Sequence, residues 1–140
     1  MMARVRLAFA ALLVAVALSA PVSAEPERIA LGEVSVSEQA QNIDAALVKT
    51  TAEREIRSVD ARRVKRRVVV SVAVTRATDD PVAVRINATL REAKSGNMIA
   101  VIEGRASSDA LADADLRRAV LRAAVRSAVR QIPEALSGGS

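Results

Sequence analysis

The chain of 140 residues has no cysteine, no histidine, no tryptophan and no tyrosine, and its one aromatic residue, Phe9, lies within the first 24 positions. Without histidine or cysteine there is no imidazole for acid/base work, no thiol nucleophile and no His/Cys metal site. Without aromatics there is no platform on which a base or sugar ring could stack. The missing cysteine also removes any disulfide and any lipid-anchor cysteine. A core built by this chain must come from Val, Ile, Leu and Ala.

What is present begins with an export signal. Arg4 and Arg6 form a short positive region, Leu7 to Leu18 is an uninterrupted apolar run, and Val22-Ser23-Ala24 puts small residues at the −3 and −1 positions of a cleavage site. The apolar run is shorter than the ~20 residues that cross a bilayer. Residues 1–24 are therefore expected to be a cleaved signal peptide, with Glu25 as the new N-terminus and a periplasmic or extracellular destination. The remainder, residues 25–140, suffices for one domain with its own core, expected over 25–136 with a loose tail at 137–140. After cleavage nothing spans a membrane.

Removing Arg4 and Arg6 takes the formal net charge from +5 to +3. A nucleic-acid partner is not expected, because the arginines are interspersed with 16 acidic residues and the chain is exported. Anionic envelope polymer or lipid is the charge-driven alternative to a protein partner.

Periodicity divides the domain into six elements. Ile29 to Val36 reads as a strand, with Gly32 marking a bulge or a close backbone approach. Ser37 is placed as the cap of a helix from Glu38 to Ser58, whose buried stripe is Ile43, Ala46, Leu47 and Thr50, leaving Ile56 and Val59 off the stripe. In Arg66 to Arg76, Val68, Val70, Val72 and Val74 share one face. Asp79-Asp80-Pro81 is a turn. Val82 to Glu92 alternates again, Lys94-Ser95-Gly96-Asn97 is a second turn, and Met98 to Ala106 is the last strand, with Met98, Ala100, Ile102 and Gly104 on its inner face. Ser107-Ser108-Asp109 is read as the cap of a final helix from Leu111 or Asp113 to Gln131, with apolar arc Leu121, Ala124, Val125, Ala128 and Ile132. The order β-α-β-β-β-α predicts an α+β, two-layer sandwich: an antiparallel meander with both helices on one sheet face and the first strand parallel to a neighbour.

No catalytic, cofactor-binding or metal-ligating residue is assigned, no cofactor is expected, and the chain is read as not an enzyme. Asp79, Asp80, Asp109, Asp113 and Asp115 occupy turn and helix-start positions, where carboxylates serve as caps. No S-x-x-K or G-x-S-x-G occurs to activate a hydroxyl. Two surfaces remain. One is a cationic patch for an anionic partner, made of Arg62, Arg63, Lys65, Arg66 and Arg67 with Arg118, Arg122, Arg126 and Arg130 on the last helix; its bland counterpart is a set of solvated, dipole-complementing side chains. The other is the sheet face away from the helices, with Arg85, Asn87, Thr89, Arg91, Ile99, Val101 and Arg105, either a solvated antiparallel face or a modest protein interface.

Along Leu90-Arg91-Glu92-Ala93-Lys94-Ser95-Gly96-Asn97-Met98-Ile99-Ala100 and the Ala/Val-rich helix that follows, the chain resembles the small periplasmic α/β domains of bacterial envelope-assembly proteins, of the curli-secretion and penicillin-binding-protein-activator lipoprotein type. That resemblance implies a non-catalytic protein-binding module of the cell envelope, acting on an envelope protein or on a second copy of itself. It transfers no functional residue.

Overall fold

The computed structural model describes residues 28–40 and 42–138; the expected signal peptide and cleavage site lie outside them. Strands β1 (Ile29–Val36), β2 (Val68–Asp79), β3 (Val82–Glu92) and β4 (Met98–Ser108) form a single four-stranded sheet in the order β1-β2-β3-β4. The crossover helix α1 (Ala45–Arg57) brings β1 parallel to β2, and two tight turns make β2-β3 and β3-β4 antiparallel. Helix α2 (Ala114–Val129) packs on β3 and β4, and beside α1 on the same face. The α+β, two-layer architecture expected from the alternation is therefore the observed one.

The strand alternation explains the core. Val68, Val70, Val72 and Val74 of β2, Val82, Val84, Ile86, Ala88 and Leu90 of β3 and Ile102 of β4 all point toward the helices and are buried. From α2 they meet Val120, Leu121, Ala124, Val125, Ala128 and Val129. With no aromatic side chains the layers must approach closely, and Gly104 is where β4 and α2 meet. A Cβ there would lie 2.8 Å from Ala128 Cβ and 2.9 Å from its backbone nitrogen, and would collide with the Ala124 carbonyl. Gly32 on β1 answers a different crowding, within the sheet, against β2. Its Cβ would fall 2.7 Å from Val69 Cγ1, at the irregularity between Leu31 and Val34.

Four expectations are corrected. The first helix does not run from Glu38. Ser37 Oγ accepts from Gln39 N (3.2 Å) and caps only a single 3-10 turn, Glu38–Ala40, while Asp44 caps α1 by accepting from Ala46 N at 3.0 Å. Starting seven residues later, the helix buries Val48, Ala52, Glu55 and Ile56; Ala46 and Thr50 are exposed, and Ile56 belongs to the core. Strand β4 continues through Ser107 and Ser108, so the cap of α2 is Asp113, which accepts from Leu116 N at 2.7 Å. Met98 faces solvent rather than the core, because an irregularity between Leu90 and Arg91 sets it opposite Arg91. Finally, Ser137 and Gly138, expected to begin a loose tail, end a short helix α3 (Ile132–Gly138) that follows α2, with Pro133 in its first turn, where no amide hydrogen is required, and Ile132 and Leu136 buried; residues 139–140 lie outside the described residues.

Candidate functional site

Two of the arginines anticipated for a cationic patch, Arg62 and Arg126, are engaged by carboxylates of the fold. Arg62 to Arg67 connects α1 to β2 and is pinned by buried Val64, whose carbonyl accepts from Arg28 Nη1 at 2.7 Å. Arg62 turns back on Asp60, with Nε 3.2 Å from Oδ1, inside a second 3-10 turn (Ala61–Arg63) that Asp60 itself caps. The Arg62 hydrogen bonds hold the Asp60 carboxyl below its ordinary value of 3.8. Arg63, Lys65 and Arg67 are exposed and Arg66 is half-buried.

On α2, Arg126 is engaged internally. Its Nε donates to Glu55 Oε1 at 2.6 Å, closing α1 onto α2 around a carboxylate whose side chain is only 7% exposed. That bond raises the Arg126 guanidinium above its ordinary range. Arg118 lies 3.9 Å from Asp115, while Arg122 and Arg130 are exposed.

Asp79, Asp113 and Asp115 likewise have structural partners. Asp79 ends β2 and accepts from Arg117 Nε (3.0 Å) and Asn42 Nδ2 (3.3 Å), tying the strand to α2 and to the loop before α1. Asp113 is the cap of α2 and Asp115 stands in its first turn. Among the described residues no group of three or more His, Cys, Asp or Glu is arranged to hold a metal ion, and no helix is long and apolar enough to cross a membrane.

The open face of the sheet is the surface the fold assembles. Cross-strand partners share a face, and the register puts this side chain set into rows running β2, β3, β4: Val69, Arg91, Met98; then Ser71, Thr89, Val101; then Ala73, Asn87, Glu103; then Arg76, Arg85, Arg105; then Thr78, Ala83, Ser107. The face has two ends. Near the β3-β4 turn it exposes Met98 (57%) and Val101 (56%), with half-buried Ile99 beside them and Arg91, whose Nη1 donates to Gly96 O at 3.2 Å. Near the β2-β3 turn it is cationic. Arg85 Nε and Arg105 Nε each lie 3.7 Å from the same oxygen, Oε1 of Glu103, and a shallow groove of ≈ 470 Å³ is lined by Arg76, Arg85 and Arg105 with Thr78, Ser107 and, at the turn, Asp80.

Of the seven residues named from alternation for this face, Arg85, Asn87, Thr89, Arg91, Val101 and Arg105 fall in these rows, while Ile99, unpaired at the irregularity opposite Arg91, packs against the core. Arg76 was not among them. Strict alternation after Val74 turns Arg76 toward the helices; an irregularity between Val74 and Arg76 leaves Thr75 unpaired in the ladder, its hydroxyl donating to Arg85 O at 3.2 Å, and sets Arg76 opposite Arg85. The signal was present in the phase of the apolar residues, which moves from Val74 to Ala77 and would otherwise have buried a guanidinium.

Compared with known proteins, the chain matches no family model and no curated protein. Among solved structures it is similar to a protein of Caulobacter crescentus CB15 described as a "putative lipoprotein", at 12% identity over 80% of this chain and 89% of that one, TM-score 0.46. A Xanthomonas campestris protein of family DUF330 is similar at 13% identity over 83% and 86%, TM-score 0.45.

Proposed function

We propose that the protein is an exported, non-catalytic binding domain of the bacterial cell envelope, and that it docks a partner protein on the open face of its sheet. The observation that carries this reading is the contrast across the sheet: one face is sealed by two helices, and the other presents Val101 and Met98 in the open beside Arg91. Apolar side chains rimmed by arginine are the composition of a modest protein interface. The export signal at residues 1–24 supports the compartment. The complementary partner sets apolar side chains against Met98 and Val101 and a carboxylate against Arg91.

The test is capture from envelope extract at high salt, comparing the wild-type protein with Val101→Glu on the open face and Arg122→Glu on the helix flank. A discrete protein retained by the wild type and by Arg122→Glu, but absent with Val101→Glu, supports the reading. Equal retention by Val101→Glu removes the open face from it. Light scattering with refractive-index detection, chosen because the mature chain lacks Trp and Tyr, identifies the case in which the partner is a second copy.

A further inference from the structure

The cationic end of the open face is a separate matter from the apolar end. Arg76, Arg85 and Arg105 occupy one row across three adjacent strands, each directly opposite the next. Like charges placed opposite each other in a sheet are destabilising, so the row works against the fold. It is reached, moreover, only because the irregularity at Thr75 re-aims Arg76, and bulges of this kind recur where a side chain must be turned toward a function. Glu103 relieves the row in part: at 3.7 Å from both Arg85 and Arg105 it lies beyond hydrogen-bond length from each, and its one oxygen Oε1 is shared between them. Arg76 has no acidic side chain within 4 Å among the described residues. Three guanidiniums thus line a groove whose lining includes one carboxylate, the turn residue Asp80, while Glu103 stands beside the row.

We infer that this groove is a binding site for a phosphomonoester group. Guanidinium forks suit oxyanions. A phosphomonoester offers three terminal oxygens and ≈ −1.5 to −2 charge, one oxygen for each of three forks, where a carboxylate offers two. Thr78 and Ser107 flank the row on the same face. Thr78 already donates to Pro81 O at 2.7 Å, so Ser107 is the hydroxyl that complements the arginines. The inference rests on the open face being the working surface, but not on a protein partner.

The experiment titrates inorganic phosphate, at low salt and at a pH where it is largely dianionic, into the protein produced from the full chain and labelled for amide NMR. Amide shifts confined to the region of Arg76, Arg85 and Arg105 are expected. Arg76→Gln and Arg105→Gln should each weaken binding at least about tenfold, the loss of one charge-assisted hydrogen bond, while Arg122→Gln on α2 leaves it unchanged. Flotation with vesicles containing phosphatidic acid, against phosphatidylcholine alone, tells whether the group is reached on a lipid surface or only in solution. No saturable shift, or shifts spread over Arg62 to Arg67 and α2 and insensitive to Arg76→Gln, overturns the inference. Because phosphate itself is the probe, that failure leaves the capture experiment with Val101→Glu untouched.

Discussion

Along β3, Val82, Val84, Ile86, Ala88 and Leu90 are at most 3% exposed, while the residues between them, Arg85, Asn87, Thr89 and Arg91, lie on the open side. The same eleven residues therefore answer to two different constraints. On the helix side, close packing dictates size and shape to within a methyl group. On the open side no packing partner dictates anything, and yet that side holds the costliest choices in the sheet, three opposed arginines. A residue that burial requires informs on stability. A residue that stability disfavours and the backbone is bent to accommodate informs on function.

The largest test of that contrast sets Gly104→Val against Val101→Thr on the same strand. At Gly104 any Cβ runs into the backbone and side chain of α2, and overpacking of this kind costs about 3 kcal/mol. The expected outcome is a large fall in the urea midpoint for Gly104→Val and almost none for Val101→Thr. Equal effects would mean that the two faces are not differently constrained after all.

Next in size is Arg126→Ala. It strips from Glu55, which stays buried between α1 and α2, the only side-chain donor it has among the described residues. An acceptor left unsatisfied in that way costs on the order of 1–3 kcal/mol. Chemical denaturation should show the loss, and Arg122→Ala, one turn away and exposed, should not. Matching curves would demote the pair to an ordinary surface contact.

These two sites also mark how far the sequence could be read. The bounds of β3, the inner face of β2 and the arc Leu121, Ala124, Val125, Ala128 and Ile132 followed directly from periodicity, because burial on one side imposes period 2 on a strand and 3.6 on a helix. Helix α1 did not follow, because Ser37 and Asp44 are equally good caps by chemistry and only the tertiary hydrogen bonds of Ser37 to β2, Ser37 N to Val74 O and Ser37 Oγ to Thr75 O, choose between them. A helix capped at Ser37 would carry its stripe on Ala46 and Thr50; capped at Asp44 it buries Val48 and Ala52. Glu55 and Arg126 are 71 positions apart, a separation at which no local pattern operates. Arg126 therefore looked available to a partner when it is held by the fold.

A smaller effect of opposite sign is expected on the open face. Arg76→Gln removes one of two like-charge oppositions and should stabilise the protein by roughly 0.2–1 kcal/mol, in thermal or urea unfolding without phosphate. Destabilisation instead would show that Arg76 supports the sheet, and the argument that it is retained at a cost would fall.

The smallest effect compares Arg76 with an arginine that already has its counter-charge. Arg62 is bound by Asp60, whose carboxyl it holds below the ordinary 3.8. Since the folded value is the lower one, this pair contributes to stability above pH 3.8, and the contribution is lost as pH falls through the depressed folded value. Both side chains are solvent-facing, so the change in overall stability is slight, and the place to see it is the carboxyl resonance of Asp60 in an NMR titration. Its midpoint should lie below 3.8 and return toward it in Arg62→Gln, with the 3-10 turn at Ala61–Arg63 losing amide protection over the same acid range. A midpoint indifferent to Arg62→Gln would mean that Arg62 is as uncommitted as Arg76, and that the cationic patch of the connecting segment is free to serve a partner.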